Sequence, residues 1–278
     1  MELQGKNIAV IGLAKTGLAT AEFLLGRGAK VTATDMNPQS LAAAALPGMK
    51  TAPHDPEILT GVDLVVPSPG VPPANPILAA AAGAGIPILS ELELAGRFLR
   101  TPLIAITGTN GKTTTTALIG HILGQSGRRV FVGGNIGTPL IGYAGGPQED
   151  HWAVIEVSSF QLQWSETFHP AVAVLLNVTA DHLDYHGSFT AYRAAKERLF
   201  ANQTAADTAI LNGDEPGTAA LAPRLAARTL RFHSGGTAAT GMYPEGEQLV
   251  YVSPTGEKEI YPRSMVKLPG THNLENVM

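Results

Sequence analysis

Short β-branched runs alternate with alanine- and leucine-rich stretches along most of this chain, and that alternation constrains the fold more than any other feature. NIAVIG reads as a strand, TGLATAEFLLGRG as a helix closed by Gly28, KVTATD and LVVPS as strands, and ANPILAAAAGAG as a helix ending in glycines. Strands separated by helices form βαβ units, so a parallel sheet is expected. A second series begins at Pro102, with strands over LIAITG, RVFVGG, WAVIEVSS and AVAVLLNVT and helices over KTTTTALIGHILGQSG and SFTAYRAAKERLF. After DTAILNGD, an alanine-rich helix and TLRFHSG, the segment MYPEGEQLVYVSPTGEKEIYPR alternates like β-hairpins, with turns at EGE and PTGE.

Composition narrows the function classes. Charged residues make up 15 % of the 278 and hydrophobic ones 44 %, against a usual charged share of about 25 %. That balance suits sheets covered on both faces by helices. A net charge of −4 argues against a basic duplex-binding protein. The absence of cysteine removes disulfides, thiolate metal sites and cysteine nucleophiles together. The uncharged stretch from Leu64 to Ser90 has the length of a membrane span, but Pro67, Pro69, Pro72, Pro73, Pro76 and Pro87 interrupt it. The opening MELQGKNIAVIG lacks the pattern of a signal peptide. A cytoplasmic protein with no nucleic-acid partner and no membrane insertion is expected.

The strongest local motif is Gly108-Thr109-Asn110-Gly111-Lys112-Thr113, set between the strand LIAIT and a helix. A glycine loop there lets backbone N–H groups converge on phosphate oxygens at the positive end of the helix. Lys112 reaches the outer phosphates, and the Thr113 hydroxyl is placed to ligate Mg²⁺. The strict pattern would put glycine at Ile106, so this is a variant loop. Gly12-Leu13-Ala14-Lys15-Thr16-Gly17 follows the first strand, and Asp35 ends the second. That is a weaker dinucleotide-type signal, equally readable as a tight turn or as a nucleotide site. Ser68-Pro69-Gly70 after the third strand reads equally as a plain proline loop or as a rigid turn facing the same crevice. Glu156 ends the strand WAVIE and reads either as a carboxylate placed to meet Mg²⁺ or as an exposed strand end. His182 reads either as a further ligand or as a surface histidine, and Lys196 on residue type alone as a solvated helix lysine.

Taken together, GTNGKTTT, GGNIGTP, EVSSFQL, NVTADHLDYH, YRAAKERLF, LNGDE and GTHNLEN resemble the Mur ligase family, and GLAKTG and SPGVP match in the first unit. The resemblance covers essentially the whole chain. It implies an α/β protein: a Rossmann-like parallel-sheet domain over 1–93 holding the UDP-muramoyl substrate, then a P-loop-type α/β ATP-binding domain with a β-hairpin region over 94–278. A helical connector near Glu93 to Arg100 marks the expected boundary. Within the family, SSFQL points to the ligase that adds D-glutamate to UDP-N-acetylmuramoyl-L-alanine in peptidoglycan precursor synthesis, through an acyl phosphate.

Carried over by position, the resemblance places ATP at Gly108, Thr109, Asn110, Gly111, Lys112, Thr113 and Thr114, with Asn273 and Asn276 near the adenine. Two Mg²⁺ ions would be held through Thr113, Glu156, His182 and Lys196, the lysine carbamylated on its ε-amine, and Lys112, Glu156, His182 and Lys196 would carry catalysis. Leu13, Ala14, Lys15, Thr16, Gly17, Asp35, Ser68, Gly70, Asn135, Gln161 and His182 would contact the UDP-muramoyl substrate. Family members have a third, C-terminal α/β domain that supplies much of the D-glutamate site, whereas this sequence ends at Met278 just after GTHNLEN. The expectation is therefore that these residues bind the UDP sugar and ATP and do not form the amide by themselves. On the residues alone, a nucleotide-binding chain without turnover and an NAD-dependent oxidoreductase, the latter from GLAKTG and Asp35, stay open.

Overall fold

The computed structural model describes residues 1–44 and 46–278. The chain divides into two compact units. The first comprises Met1–Arg100, Gly137–Gln148 and Ser159–Phe168; the second comprises Thr101–Ile136, Glu149–Ser158 and His169–Met278.

In the first unit, β1 (Asn7–Ile11), β2 (Lys30–Thr34), β3 (Lys50–Thr51) and β4 (Leu64–Pro67) form a sheet of order β3-β2-β1-β4 with every pair parallel. Ile8, Ala9, Val10 and Ile11 are all buried, which is why β1 reads as a continuous apolar run rather than an alternating one. The helix Lys15–Gly26 ends where Gly28 takes a left-handed conformation, φ +76°. Asn75 caps the helix Pro76–Gly83 by accepting from the Ile77 N–H, and the Ser90 hydroxyl accepts from Glu93 N to cap the helix Glu91–Gly96.

That last helix anchors two distant segments in this unit. Glu93 is fully buried, and its carboxylate accepts the backbone N–H groups of Glu166, Thr167 and Phe168, each at 2.9 Å, as well as Arg97 Nε at 2.7 Å. Burial opposes ionisation there, but bonds from Thr167, Glu166 and Arg97 outweigh it and hold the carboxyl below its ordinary range. Glu91 accepts the Ile141 N–H at 2.7 Å. Residues 137–148 and 159–168 thus pack with the first unit, so each unit is built from three separate stretches of chain.

The second unit is built on nine strands: β5 (Leu103–Thr107), β6 (Val130–Gly134), β7 (Trp152–Glu156), β8 (Val172–Leu175), β9 (Thr208–Asn212), β10 (Arg228–Phe232), β11 (Gly241–Glu245), β12 (Gln248–Val252) and β13 (Lys258–Pro262). Their order is β13-β12-β11-β10-β9-β8-β5-β7-β6. Pairings from β6 across to β11 are parallel, and β11-β12 and β12-β13 are antiparallel, as the hairpin signals require. Ile104, Ile106, Val154, Val174, Leu176 and Phe232 form a core cluster of this unit. The chain leaves β5 for one edge and returns to its other side at β8, making the carboxyl end of β5 a switch point, where open α/β sheets take ligands. β8 is shorter than AVAVLLNVT suggests. It stops at Leu175 because the backbone then turns to the β5 loop, with Thr109 N donating to Asn177 O at 2.9 Å. No helix among the described residues is long and apolar enough to cross a membrane.

Candidate phosphate and nucleotide sites

In the second unit, β5 ends at Thr107 and the helix Lys112–Gln125 begins five residues later, with Gly111 as its N-cap at φ +83°. A side chain at Gly111 would be strained, and its Cβ would sit 2.2 Å from Asn276 Oδ1. Asn276 thus comes to the phosphate loop, and its Nδ2 donates to Asn273 Oδ1 at 3.3 Å, while Asn273 Nδ2 donates to Pro269 O at 2.7 Å. The N–H groups of Gly111, Lys112, Thr113 and Thr114 are the ones a helix start leaves without intrahelical acceptors, and they carry its partial positive charge. Lys112 Nζ folds back onto the loop, donating to Gly108 O at 3.0 Å and Thr109 O at 2.8 Å.

Thr113 is exposed, and its hydroxyl donates to Glu156 Oε2 at 2.6 Å. Glu156 ends β7 and is only 3 % exposed. Its other oxygen accepts Asn135 Nδ2 at 2.7 Å. A hydroxyl and a buried carboxylate therefore share one position beside the helix start, open to solvent through Thr113. Among the described residues no three His, Asp or Glu side chains gather as a metal cage. The Thr113–Glu156 pair supplies hard oxygen ligands of the kind Mg²⁺ takes along with phosphate oxygens and water, so the residues fit that ion.

Lys196 is not the solvated lysine its residue type suggests. It is 2 % exposed, its Nζ donates to Gly108 O at 2.7 Å, and it lies 4.6 Å from the centre of the Tyr192 ring. Burial, reinforced by the Lys112 charge, pushes its pKa down to about 7. His182 sits half-exposed in a left-handed conformation, φ 50°, with its ring edge-on to Tyr192. Two further residues, neither marked by a sequence motif of its own chemistry, shape this loop. Tyr192, buried, shares a 3.0 Å hydrogen bond between its hydroxyl and Thr109 Oγ1, and Asn177 bonds the loop backbone. An asparagine just past a buried strand is an ordinary turn signal, so only the fold reveals what Asn177 holds.

The first unit brings Gly12, Asp35 and Ser68 together at the carboxyl ends of β1, β2 and β4. Asp35 Oδ2 accepts Leu13 N at 2.6 Å and Oδ1 accepts Asn37 N at 2.7 Å, while the Ser68 hydroxyl donates to Gly12 O at 2.8 Å. A Cβ on Gly17 would fall 1.9 Å from Gly12 O, so only glycine lets the helix approach this turn. Ala14 is the N-cap and no acidic residue occupies the first turn, leaving N–H groups and the Lys15 amine, which donates to Gly137 O at 2.5 Å. Thr16 stands in that first turn, and Gly70 in the turn closed by Val71 N on Ser68 O. Gln161 is buried, its side chain bonded to the Glu91 carboxyl.

A parallel-sheet unit with a glycine turn and a second unit with a P-loop-type helix start, its threonine bonded to a strand-end carboxylate, define an α/β protein of two units. The Mur ligase middle domain model matches residues 106–278, and the Mur ligase MurD-like N-terminal domain model matches residues 6–90. The chain belongs to the Mur ligase family. It is 52 % identical, over its whole length, to UDP-N-acetylmuramoylalanine--D-glutamate ligase of Syntrophus aciditrophicus, and 45 % and 43 % identical to the proteins of that name from Geobacter metallireducens and Koribacter versatilis. It spans 63 % of the length of each of these relatives. Among solved structures, it shares its fold with UDP-N-acetylmuramate:L-alanyl-gamma-D-glutamyl-meso-diaminopimelate ligase from Neisseria meningitides. There the TM-score is 0.59 at 20 % identity, covering 98 % of this chain and 90 % of that one. MurF ligase from Thermotoga maritima, solved in complex with ADP, gives 0.51 at 17 % identity, covering 99 % and 59 %.

Proposed function

We propose that this chain supplies the UDP-muramoyl-binding and ATP-binding parts of a cytoplasmic ligase of peptidoglycan synthesis that joins D-glutamate to UDP-N-acetylmuramoyl-L-alanine. The observation that carries the reading is the bonded series Thr113–Glu156–Asn135 beside the Gly108–Lys112 loop, on a chain 52 % identical to a ligase of that name. In this reaction the substrate carboxylate attacks the γ-phosphorus of ATP, the bond to the β-phosphate oxygen breaks, and an acyl phosphate and ADP result. The amine of D-glutamate then attacks the acyl carbon, phosphate leaves, and the amine loses a proton.

The chain's own contribution is positioning and charge. Lys112 exchanges its two loop carbonyls for phosphate oxygens, and the N–H groups of Gly111 to Thr114 face the same anion. Thr113, Glu156, His182 and Lys196 would hold two Mg²⁺ ions, which offset the charge that develops on the transferring group. A lysine with a pKa near 7 is largely neutral at slightly alkaline pH, and that form attacks the carbon of CO₂, the nitrogen then losing a proton to solvent to leave a carbamate. Carbamylation would thus turn Lys196 from a cation that repels a metal into an anion that binds one. Asn273 and Asn276 would lie near the adenine. Leu13 to Gly17, Asp35, Ser68, Gly70, Asn135, Gln161 and His182 would contact the UDP-muramoyl substrate. The NAD reading rests on the Gly12–Gly17 turn and Asp35 alone and leaves the Gly108–Thr113 loop without a role.

Calorimetric titration of the chain with UDP-N-acetylmuramoyl-L-alanine, NAD and UDP-N-acetylglucosamine tests the substrate assignment. Tight binding of the first and weak binding of the other two is expected. NAD affinity equal to or above that of the muramoyl nucleotide overturns it.

A further inference from the structure

Asn177 bonds to the phosphate loop at four points. Its carboxamide Oδ1 accepts the Thr109 N–H at 3.1 Å and the Asn110 N–H at 2.8 Å, its Nδ2 donates to Asn110 O at 3.1 Å, and its backbone carbonyl accepts Thr109 N at 2.9 Å. The residue is itself fixed from below. Leu176 N donates to Thr107 O at 3.0 Å, Asn212 Nδ2 donates to Leu176 O at 3.0 Å, and Val178 N bonds the Glu215 carboxylate at 3.1 Å.

The chemistry of this arrangement is specific. In a glycine loop before a helix, every backbone N–H is a potential phosphate donor. Here two are already consumed, which leaves the anion the N–H groups of Gly111 to Thr114. A carboxamide can accept two donors with its oxygen while its nitrogen bonds a carbonyl, so one side chain fixes both peptide planes of Thr109 and Asn110. A loop held this way loses little freedom when phosphate arrives, so less binding energy is spent on ordering it.

We propose that Asn177 is the positioning residue of the phosphate loop, holding the Thr109 and Asn110 N–H groups away from the anion so that Gly111 to Thr114 receive it. The proposal rests on the phosphate reading of this loop. Asn177 contacts no phosphate and acts through Thr109 and Asn110.

The test combines amide hydrogen exchange with nucleotide affinity. In the ligand-free protein, Asn177→Ala should speed exchange at the Asn110 amide by roughly tenfold or more, the Thr109 amide keeping its 2.9 Å bond to the residue's backbone carbonyl, while Asn177→Asp, which keeps the acceptor oxygen, should preserve the Asn110 protection. Asn177→Ala should also weaken ATP and ADP binding roughly tenfold and leave adenosine binding unchanged, since adenosine has no phosphate for the loop to receive. A loss that is merely structural would lower all three affinities together and would not be reversed by aspartate at the amides. Unchanged exchange at the Asn110 amide in Asn177→Ala overturns the proposal. So does faster exchange with undiminished ATP affinity. If unmodified protein binds ATP no better than adenosine, the phosphate reading falls and takes the proposal with it.

Discussion

Thr113 and Glu156 stand 43 positions apart in the chain, yet the threonine hydroxyl donates to the glutamate carboxylate across 2.6 Å. The contact follows from topology. β5 and β7 are parallel neighbours, so the loop after one and the last residue of the other meet at the same sheet edge. A carboxylate buried at 3 % exposure needs polar partners, and it has two, Thr113 and Asn135.

Lys112→Ala should weaken binding of a non-hydrolysable ATP analogue by about ten- to a hundredfold, the worth of a charged hydrogen-bonding group on phosphate. The fold should persist, because among the described residues the Lys112 amine bonds two carbonyls of its own loop, Gly108 O and Thr109 O. Calorimetry for affinity and a thermal melt for stability read the two effects separately.

Two glycines of one helical region should respond with opposite signs to alanine. At Gly111, φ is +83° and a Cβ would meet Asn276, so Gly111→Ala should cost about 1–2 kcal/mol for the left-handed backbone alone and weaken ATP-analogue binding. At Gly124, inside the helix Lys112–Gln125, nothing lies within 4 Å of a Cβ, and Gly124→Ala should stabilise by about 0.5–1 kcal/mol. Denaturant midpoints of the two variants check both.

Glu91 gives the fold a pH dependence. Burial raises its pKa to about 7, against bonds from Ile141 and Gln161 that favour the ionised form. A carboxyl whose folded pKa exceeds its unfolded value contributes stability that is complete below about 4.5 and lost as pH rises through about 7, a change on the order of 3 kcal/mol. Glu91→Gln should remove this slope, so its stability relative to the unmodified chain should rise between pH 4.5 and 7 and then level off. Urea unfolding across that range measures it, and parallel curves for the two proteins would contradict it.

Lys196 should take up CO₂. Its amine, with a pKa near 7, becomes mostly neutral as pH rises past that value, so protein equilibrated with ¹³C-bicarbonate should show a carbamate carbon resonance that grows from pH 6 to 8. Lys196→Ala should abolish it. A spectrum identical in both proteins would count against carbamylation.

Much of this was legible in the residues because the signals are local. A buried parallel strand reads as an apolar run, as at Ile8 to Ile11, and a loop of glycines before a helix announces itself at Gly108 to Thr113. Hairpins at 241–262 follow from alternation and turn residues. The burial of Lys196 was not legible, since its helix would present a lysine to solvent were Gly108 and Tyr192 not packed over it from distant positions. Nor was the return of residues 137–148 and 159–168 to the first unit. It depends on Glu91 and Glu93, whose sequence SELELAG suggests a solvated helix and whose acceptors' partners lie some 50 to 75 positions away. Asn177 was hidden for the same reason, its partners being 67 and 68 positions off.

The Thr113–Glu156 pair is tested most directly by the affinity of a non-hydrolysable ATP analogue measured across a Mg²⁺ titration, in the unmodified chain and in Glu156→Gln. If the pair forms the magnesium and phosphate site, affinity should rise steeply with Mg²⁺ in the unmodified chain, and most of that rise should vanish in the variant. Binding that ignores Mg²⁺, or an equal rise in both proteins, would contradict it.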